Sequence, residues 1–146
     1  MKLIRDIPNC IYLEHQEVII EGYKIFGTPF IPPVGNWAFM LNTKEERIEK
    51  FREIPEDVEI LISHSPPKNI LDSWPDRPMD HHERYGCNEL LKEVTTRIKP
   101  LFHIFGHVHE GYGTQKLGSI TYINASNVDF DYECVNKPIF FELPRK

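Results

Sequence analysis

The chain has 146 residues, the usual size of one domain, and its 22 acidic residues outnumber its 17 basic ones, giving a formal net charge of −5. Hydrophobic residues make up 40% of the chain and charged residues 27%, a globular balance that excludes wholesale disorder. No apolar run reaches the length of a membrane span, and the N-terminus lacks the apolar stretch of a signal peptide. A net acidic chain without a basic run is also poorly suited to general nucleic-acid binding, because phosphate affinity comes from clustered Lys and Arg.

The first elements predicted along the chain are a β-hairpin, a loop and a helix. Two β-rich runs around Glu21-Gly22 predict a hairpin over residues 18–26. Residues 27–42 are rich in proline and aromatic residues and show no period, which indicates a long ordered loop. A capping box at residues 43–46 predicts the start of a helix that ends near Glu53.

The second half of the chain alternates strands, a loop and a helix. Two short apolar runs have the character of buried strands, and each is followed by histidines. The predicted elements are a strand at 58–62, a loop at 68–85, a helix from about 87 to Pro100, and strands at 101–105, 120–123 and 139–143. This order predicts a mixed α/β (α+β) layer fold that forms a single domain over residues 1–146.

The three cysteines, Cys10, Cys87 and Cys134, are odd in number and form no C-x-x-C pair. A structural zinc ribbon or a disulfide framework is therefore not expected. Free thiols in a reducing compartment are the simpler interpretation, and we predict a cytoplasmic location.

Three histidines follow the two predicted buried strands. His64 comes directly after the first strand, and His107 and His109 come after the second. Residues i and i+2 of an extended chain point to the same side, so the imidazoles of His107 and His109 would converge. If the two strands are parallel neighbours, all three rings meet at the carboxyl edge of the sheet, where open α/β sheets bind ligands. This pattern favours a metal site of the Zn, Mn or Fe type, and the alternative is a set of polar loop histidines without a ligand.

The two histidine motifs resemble those of a known family. Ile62-Ser63-His64-Ser65-Pro66-Pro67 and Phe105-Gly106-His107-Val108-His109-Glu110-Gly111-Tyr112-Gly113 are similar to the last two motifs of calcineurin-like metallophosphoesterases. Three further segments resemble the metallophosphoesterase-domain-containing branch of that family: Glu17 to Gly27, Gly35-Asn36-Trp37 and Tyr122-Ile123-Asn124-Ala125-Ser126. The resemblance extends from about Cys10 to Pro144.

The resemblance implies part of a β-sandwich flanked by helices and the activity of a metal-dependent hydrolase. It implies that His64 and His107 bind one divalent ion of the Mn, Fe or Zn type and that His109 helps to bind a second. Two ions in such a site hold the phosphate and activate a water. The implied substrate is a phosphomonoester or phosphodiester, with nucleotides among the candidates.

The family's other ligands come from D-x-H, G-D-x-x-D and G-N-H-[DE] motifs in the N-terminal half of the domain, and no counterpart precedes the hairpin here. The resemblance therefore implies the C-terminal half of the domain, inactive without the N-terminal half and without an assignable catalytic residue. Central strands of a half-domain present an unpaired edge, so we expect a homodimer or a complex with a separately encoded N-terminal half. A third interpretation is that the chain is a truncated form or isoform of a longer enzyme. The alternative is a non-catalytic metal-binding or regulatory module derived from the same fold.

Four residues are weaker candidates for substrate binding. Asn124 and Ser126 follow a strand beside the histidine turn, although turn-forming polar residues are an equal interpretation. Gly86 precedes a helix whose free amides could hold a phosphate, and simple N-capping explains it equally well. Trp37 could stack on a base, whereas loop aromatics more often hold the loop against the core.

The remaining polar residues are given ordinary interpretations. His103 lies inside a predicted strand and is expected to be a satisfied core histidine rather than a ligand. His81 and His82 are adjacent and are interpreted as exposed loop residues. The acidic residues near the motifs are interpreted as solvated: Asp72, Asp76, Asp80, Glu83, Asp129 and Asp131.

Overall fold

The computed structural model describes residues 7–73 and 84–146, and a six-stranded mixed sheet forms their centre. The strands lie in the order β1-β2-β3-β4-β6-β5. Their bounds are β1 Gln16–Ile20, β2 Tyr23–Thr28, β3 Ile60–Ser63, β4 Phe102–Phe105, β5 Gly113–Leu117 and β6 Ile120–Asn124, and the helices are α1 Lys44–Arg52 and α2 Asn88–Glu93. The mixed α/β class predicted from the sequence is confirmed.

The four central strands β2, β3, β4 and β6 run parallel, and the two edge strands β1 and β5 run antiparallel to their neighbours. The two buried strands are parallel neighbours, which is the condition for bringing their histidines to one edge, with Leu61 opposite His103 and Ile62 opposite Ile104. All four central strands therefore end at the same edge of the sheet. Each of them is paired on both sides, so the expectation that central strands present an unpaired edge is wrong, and the outer strands are β1 and β5.

The predicted hairpin and capping box are both present. Glu21 and Gly22 have φ values of 50° and 82°, the left-handed pair that a two-residue hairpin turn requires. At the start of α1, the Glu46 amide donates to the Thr43 hydroxyl at 3.1 Å, and the Thr43 amide donates to the Glu46 carboxylate at 2.9 Å. These local interactions start the two elements where the sequence pattern places them.

The hydrophobic core lies between the sheet and the helices. One face of the sheet contributes Leu61, Phe105 and Tyr122, and this face packs on α1, α2 and the loops between them. Arg97 ties the helices together, because its guanidinium donates to the Phe51 and Ile54 carbonyl oxygens at 3.0 and 2.7 Å. The core members are Phe26, Phe51, Ile54, Val58, Leu61, Ile70, Cys87, Leu90, Val94, Ile98, Phe105, Ile120 and Tyr122.

The predicted helix from 87 to Pro100 is α-helical only as far as Glu93. A π-helical turn, Val94–Ile98, follows, and the Lys99 amide donates to the Val94 carbonyl at 3.0 Å. The Thr95 and Thr96 hydroxyls donate back to the Leu91 and Lys92 carbonyls at 2.8 and 2.7 Å. Such bonds compete with the helical ladder and favour a local widening of the turn.

The prediction of a strand at residues 139–143 is wrong, and the sequence analysis missed β5. Phe141 packs on Phe102 with ring centroids 4.5 Å apart. Phe102 belongs to β4, which is already paired on both sides, so Phe141 packs on a face of the sheet and its segment does not pair with β4. The edge position beside β6 is taken by β5.

All three cysteines are free thiols, with Cys87 buried and Cys10 and Cys134 exposed. Within residues 7–73 and 84–146, no helix combines the length and apolar character needed to cross a bilayer.

Candidate functional site: a histidine pair at the carboxyl edge of the sheet

The candidate site lies where β3 and β4 end. His64 is the residue after β3, and its amide donates to the Thr28 carbonyl at 3.2 Å. Gly106 follows β4, and its amide donates to the His64 carbonyl at 3.1 Å. The sheet hydrogen bonding thus continues one residue past the strands and holds the two histidine-bearing turns side by side.

His64 and His107 form a close pair. Nε2 of His64 and Nδ1 of His107 lie 3.2 Å apart, and the ring centroids lie 4.8 Å apart. The backbone of His107 is left-handed, with a φ of 69°, as part of the sharp turn after β4. Imidazole nitrogens bind zinc at about 2.0–2.1 Å, so two such ligands of one tetrahedral ion lie roughly 3.3 Å apart. The observed pair matches the separation needed to share one ion.

The electrostatics of the pair favour the neutral imidazoles that metal binding requires. Burial lowers the pKa of His64 below its ordinary value of 6.5. Burial, with smaller contributions from the nearby His64 and His109 rings, lowers the pKa of His107 to about 4. Both rings are therefore uncharged near neutral pH, with lone pairs available to a Lewis acid.

The expected convergence of all three histidine rings on one point is not found in residues 7–73 and 84–146, because the left-handed backbone at His107 breaks the extended geometry. His109 lines the same cavity but is held separately. Its Nδ1 donates to the Asp129 carbonyl at 2.8 Å, and its ring lies edge-on to Tyr132 with centroids 5.2 Å apart. Nε2 is therefore the ring nitrogen that remains available to a metal ion. In metal-binding histidines, a backbone carbonyl commonly accepts from one ring nitrogen and so orients the other towards the metal. In the part of the chain that the structure describes, no group of three or more His, Cys, Asp or Glu side chains is placed to hold a metal ion.

A cavity of about 590 Å³ opens over the three histidines. Trp37 lines it and meets the His107 ring edge-on, with centroids 5.5 Å apart. Ser126 also lines it, so two of the four weaker candidates lie at the site. The remaining walls come from Val34, Tyr85, Gly106, Val108, Glu110, Ala125, Asn127, Val128, Phe130 and Tyr132.

Asn124 and Gly86 lie behind the cavity wall and do not line it. The buried Asn124 amide donates to the carbonyls of Val108 and Leu71 at 2.7 and 3.1 Å, so its donors are used within the protein. The Gly86 amide donates to the Asp72 carboxylate at 3.1 Å. A Cβ at Gly86 would meet the Pro67 carbonyl oxygen at 2.5 Å, which explains this glycine by close packing.

The interpretation of Asp72 as a solvated loop residue is wrong. Asp72 is completely buried, and its carboxylate pairs with Arg84 at 3.0 Å and accepts the Asn69 amide at 2.8 Å. Asp129 organises its own turn, since one of its carboxylate oxygens accepts the amides of Asp131 and Glu133 at 3.0 Å each.

Several sequence candidates lie outside the described residues. They are Asp76, Asp80, His81, His82 and Glu83. Asp80-His81-His82 has the letters of a D-x-H motif, but it lies between the two histidine motifs and not ahead of the hairpin.

Sequence reasoning missed the aromatic wall of the cavity. Phe130 and Tyr132 come from the segment after β6, which carries no periodic pattern, and both are exposed. The Asp129 carbonyl that orients His109 belongs to the same segment. No local signal marks these residues, because their role depends on the path of the chain back across the strand ends.

Comparisons with known proteins find relatives that are similar along most of the chain. No family model matches the chain. It is 45% identical over 138 residues to metallophosphoesterase domain-containing protein 1 of Homo sapiens and of Mus musculus, covering 94% of this chain and 41% of each relative. It is 38% identical to a UPF0046 protein of Caenorhabditis elegans, covering 94% of this chain and 34% of that relative.

A solved crystal structure shares the fold. It aligns with a TM-score of 0.54 at 20% identity, covering 78% of this chain and 45% of the other. The chain spans about two fifths of the length of the mammalian relatives. With the histidine motifs at the ends of parallel strands and this similarity along nearly its whole length, the chain matches the metallophosphoesterase domain-containing proteins.

Proposed function

We propose that this chain contributes the histidine side of a metal-dependent phosphoesterase centre. The observation that carries the proposal is the 3.2 Å separation of His64 Nε2 and His107 Nδ1 at the carboxyl edge of the sheet. In this proposal the pair holds one divalent ion of the Mn, Fe or Zn type, and His109 Nε2 contributes to a second. The substrate is a phosphoester, and nucleotides are among the candidates.

The residues of the chain have distinct parts in this proposal. The neutral rings of His64 and His107 present lone pairs, and the Asp129 carbonyl holds His109 with Nε2 free. Trp37 stands edge-on to His107 and lines the cavity beside the pair. A divalent ion bound here would polarise the phosphoryl group and lower the pKa of a bound water.

The proposed centre needs carboxylate ligands beyond the three histidines. The family motifs that carry them, G-D-x-x-D and G-N-H-[DE], do not occur in this sequence. We propose that residues 1–146 act as one part of a phosphoesterase domain and that an N-terminal half outside these residues supplies the rest. A homodimer would add only a second copy of a sequence that lacks the same motifs. A monomer in light scattering that melts cooperatively would contradict the need for a partner chain.

The metal proposal is tested by the ion content of the purified chain after dialysis against Mn²⁺ or Zn²⁺. We expect about one ion per chain, lost in His107→Ala and in His64→Ala. His15→Gln is the matched control, because His15 contacts Thr28 and Glu53 and does not line the cavity. Two ions per chain would indicate a completed centre, and hydrolysis of bis(4-nitrophenyl) phosphate should then follow the metal content. No bound ion would contradict the proposal.

The second candidate function is a non-catalytic module that keeps the fold. It is favoured by the lack, within residues 7–73 and 84–146, of a cluster of three or more metal-ligand side chains. This function predicts that even protein loaded with two ions per chain hydrolyses no phosphoester. It also predicts that His107→Ala leaves binding to a partner protein unchanged.

A further inference from the structure

A buried hydrogen-bond chain runs from His103 to the turn that carries His64. The Ser63 hydroxyl donates to the Ser65 carbonyl at 2.7 Å, and its oxygen lies 2.9 Å from His103 Nε2. A hydroxyl has one hydrogen, and the Ser65 carbonyl accepts it. Ser63 Oγ must therefore accept from an Nε2–H of His103. The chain has one direction, from His103 through Ser63 to Ser65.

Packing alone does not explain a histidine at position 103. The ring is completely buried, and its Nδ1 has no hydrogen-bond partner within residues 7–73 and 84–146. An unpartnered buried nitrogen is costly, so an apolar side chain would fill this space at lower cost. The Ser63 hydroxyl is the polar group that the ring contacts, and burial lowers the pKa of His103 to about 3, which keeps it neutral.

The His103–Ser63–Ser65 hydrogen-bond chain holds the backbone on both sides of His64. The His64 amide and carbonyl are already bonded to Thr28 and Gly106 on the neighbouring strands. The Ser63–Ser65 bond spans His64 and closes the turn around it. Because the His64 ring extends from this turn towards His107, the direction of the ring depends on the conformation of the turn.

We propose that His103 is a positioning residue for His64 and acts through the Ser63 hydroxyl. The proposal rests on the proposed function, in which His64 is a metal ligand. It assigns His103 no contact with the metal or the substrate. Removal of groups that orient a metal ligand typically costs 10–100-fold in metal affinity, and we expect a loss of about 10-fold here.

Four variants test the proposal on the purified chain, with Zn²⁺ affinity as one measurement. Ser63→Ala and His103→Leu break the hydrogen-bond chain from His103 to Ser65. The side-chain amide of His103→Gln restores a donor to Ser63. Thr28→Val is the matched control, because it removes a different buried hydroxyl. Thr28 is in β2, adjacent to β3, and its hydroxyl lies 3.0 Å from His15 Nδ1. We expect weaker Zn²⁺ binding in Ser63→Ala and His103→Leu, and wild-type affinity in His103→Gln and Thr28→Val.

Imidazole ¹⁵N NMR of the metal-free chain is the second measurement, and it does not depend on metal binding. The wild-type His103 signals should be those of the neutral Nε2–H tautomer. Ser63→Ala should shift or broaden the His64 signals, whereas Thr28→Val should affect those of His15. Unchanged His64 signals in Ser63→Ala, or Zn²⁺ affinity equal to that of Thr28→Val, would overturn the positioning role. A wild-type chain that binds no Zn²⁺ would contradict the proposed function, and the NMR result would still decide whether His103 orients His64.

Discussion

The side-chain amide of Asn124 donates a 2.7 Å hydrogen bond to the carbonyl oxygen of Val108, the residue between His107 and His109. The same nitrogen donates to the Leu71 carbonyl at 3.1 Å. One buried side chain at the end of β6 thus holds the histidine turn against the loop that follows His64.

We predict that Asn124→Asp destabilises the protein by about 2–4 kcal/mol, because two buried carbonyl oxygens would face an acceptor in place of a donor. The measurement is urea unfolding near neutral pH. Asn127→Asp is the control, since Asn127 lies three residues further along the chain and is exposed. If the two variants unfold at the same urea concentration, the bonds of Asn124 do not support the turn.

We expect the Asp72 carboxylate to contribute to the free energy of unfolding by an amount comparable to that of Asn124. Its side chain is completely buried and pairs with Arg84 at 3.0 Å. Breaking such a buried pair typically costs about 3–5 kcal/mol, and we expect Asp72→Asn to fall at the lower end because Arg84 is partly exposed. The exposed Asp57, which pairs with Lys24 at 2.7 Å, is the matched control, and Asp57→Asn should leave the free energy of unfolding nearly unchanged because solvent screens the pair. Equal effects of the two substitutions on the free energy of unfolding would argue against this role of Asp72.

The stability of the protein should fall in mild acid because of His103. Burial lowers the pKa of this histidine from 6.5 to about 3, so the unfolded chain takes up a proton where the folded chain does not. The contribution of the neutral His103 to the free energy of unfolding is therefore fully present above about pH 6.5. It is lost as the pH falls towards 3, by up to about 1.4 kcal/mol per pH unit. We expect the free energy of unfolding to decrease more steeply in the wild type than in His103→Gln. Parallel curves for the two proteins would show that His103 does not titrate on unfolding.

The three thiols should differ in reactivity. Burial raises the pKa of Cys87 to about 11, so roughly a thousandth of this thiol is ionised at about pH 8. Cys10 and Cys134 are exposed. We expect iodoacetamide to modify two cysteines in the native protein and the third only in denaturant, as measured by mass spectrometry. Rapid native modification of Cys87 would mean that the loop and helix around it open readily.

Local patterns were enough to predict several elements. The Glu21-Gly22 turn and the Thr43–Glu46 capping box depend on residues that are close in the chain, and both are present. The position of His64 directly after a strand could also be read from an apolar run that stops at a polar residue. By contrast, β5 was not predicted, because its sequence, GTQKL, is largely polar and the strand is stabilised by its pairing with β6.

The sequence by itself determined which residues carry chemistry, because His64, His107 and His109 stand out by residue type and by their place after buried strands. Only the tertiary structure decided how they are arranged: His64 beside His107, and His109 held by the Asp129 carbonyl. It also joined Ser63 to His103. The His64–His107 and Ser63–His103 pairs depend on the register of β3 and β4. The His109–Asp129 pair depends on the path of the chain after β6. Local sequence encodes neither, since strand pairing and chain path are set by contacts between residues far apart in the chain.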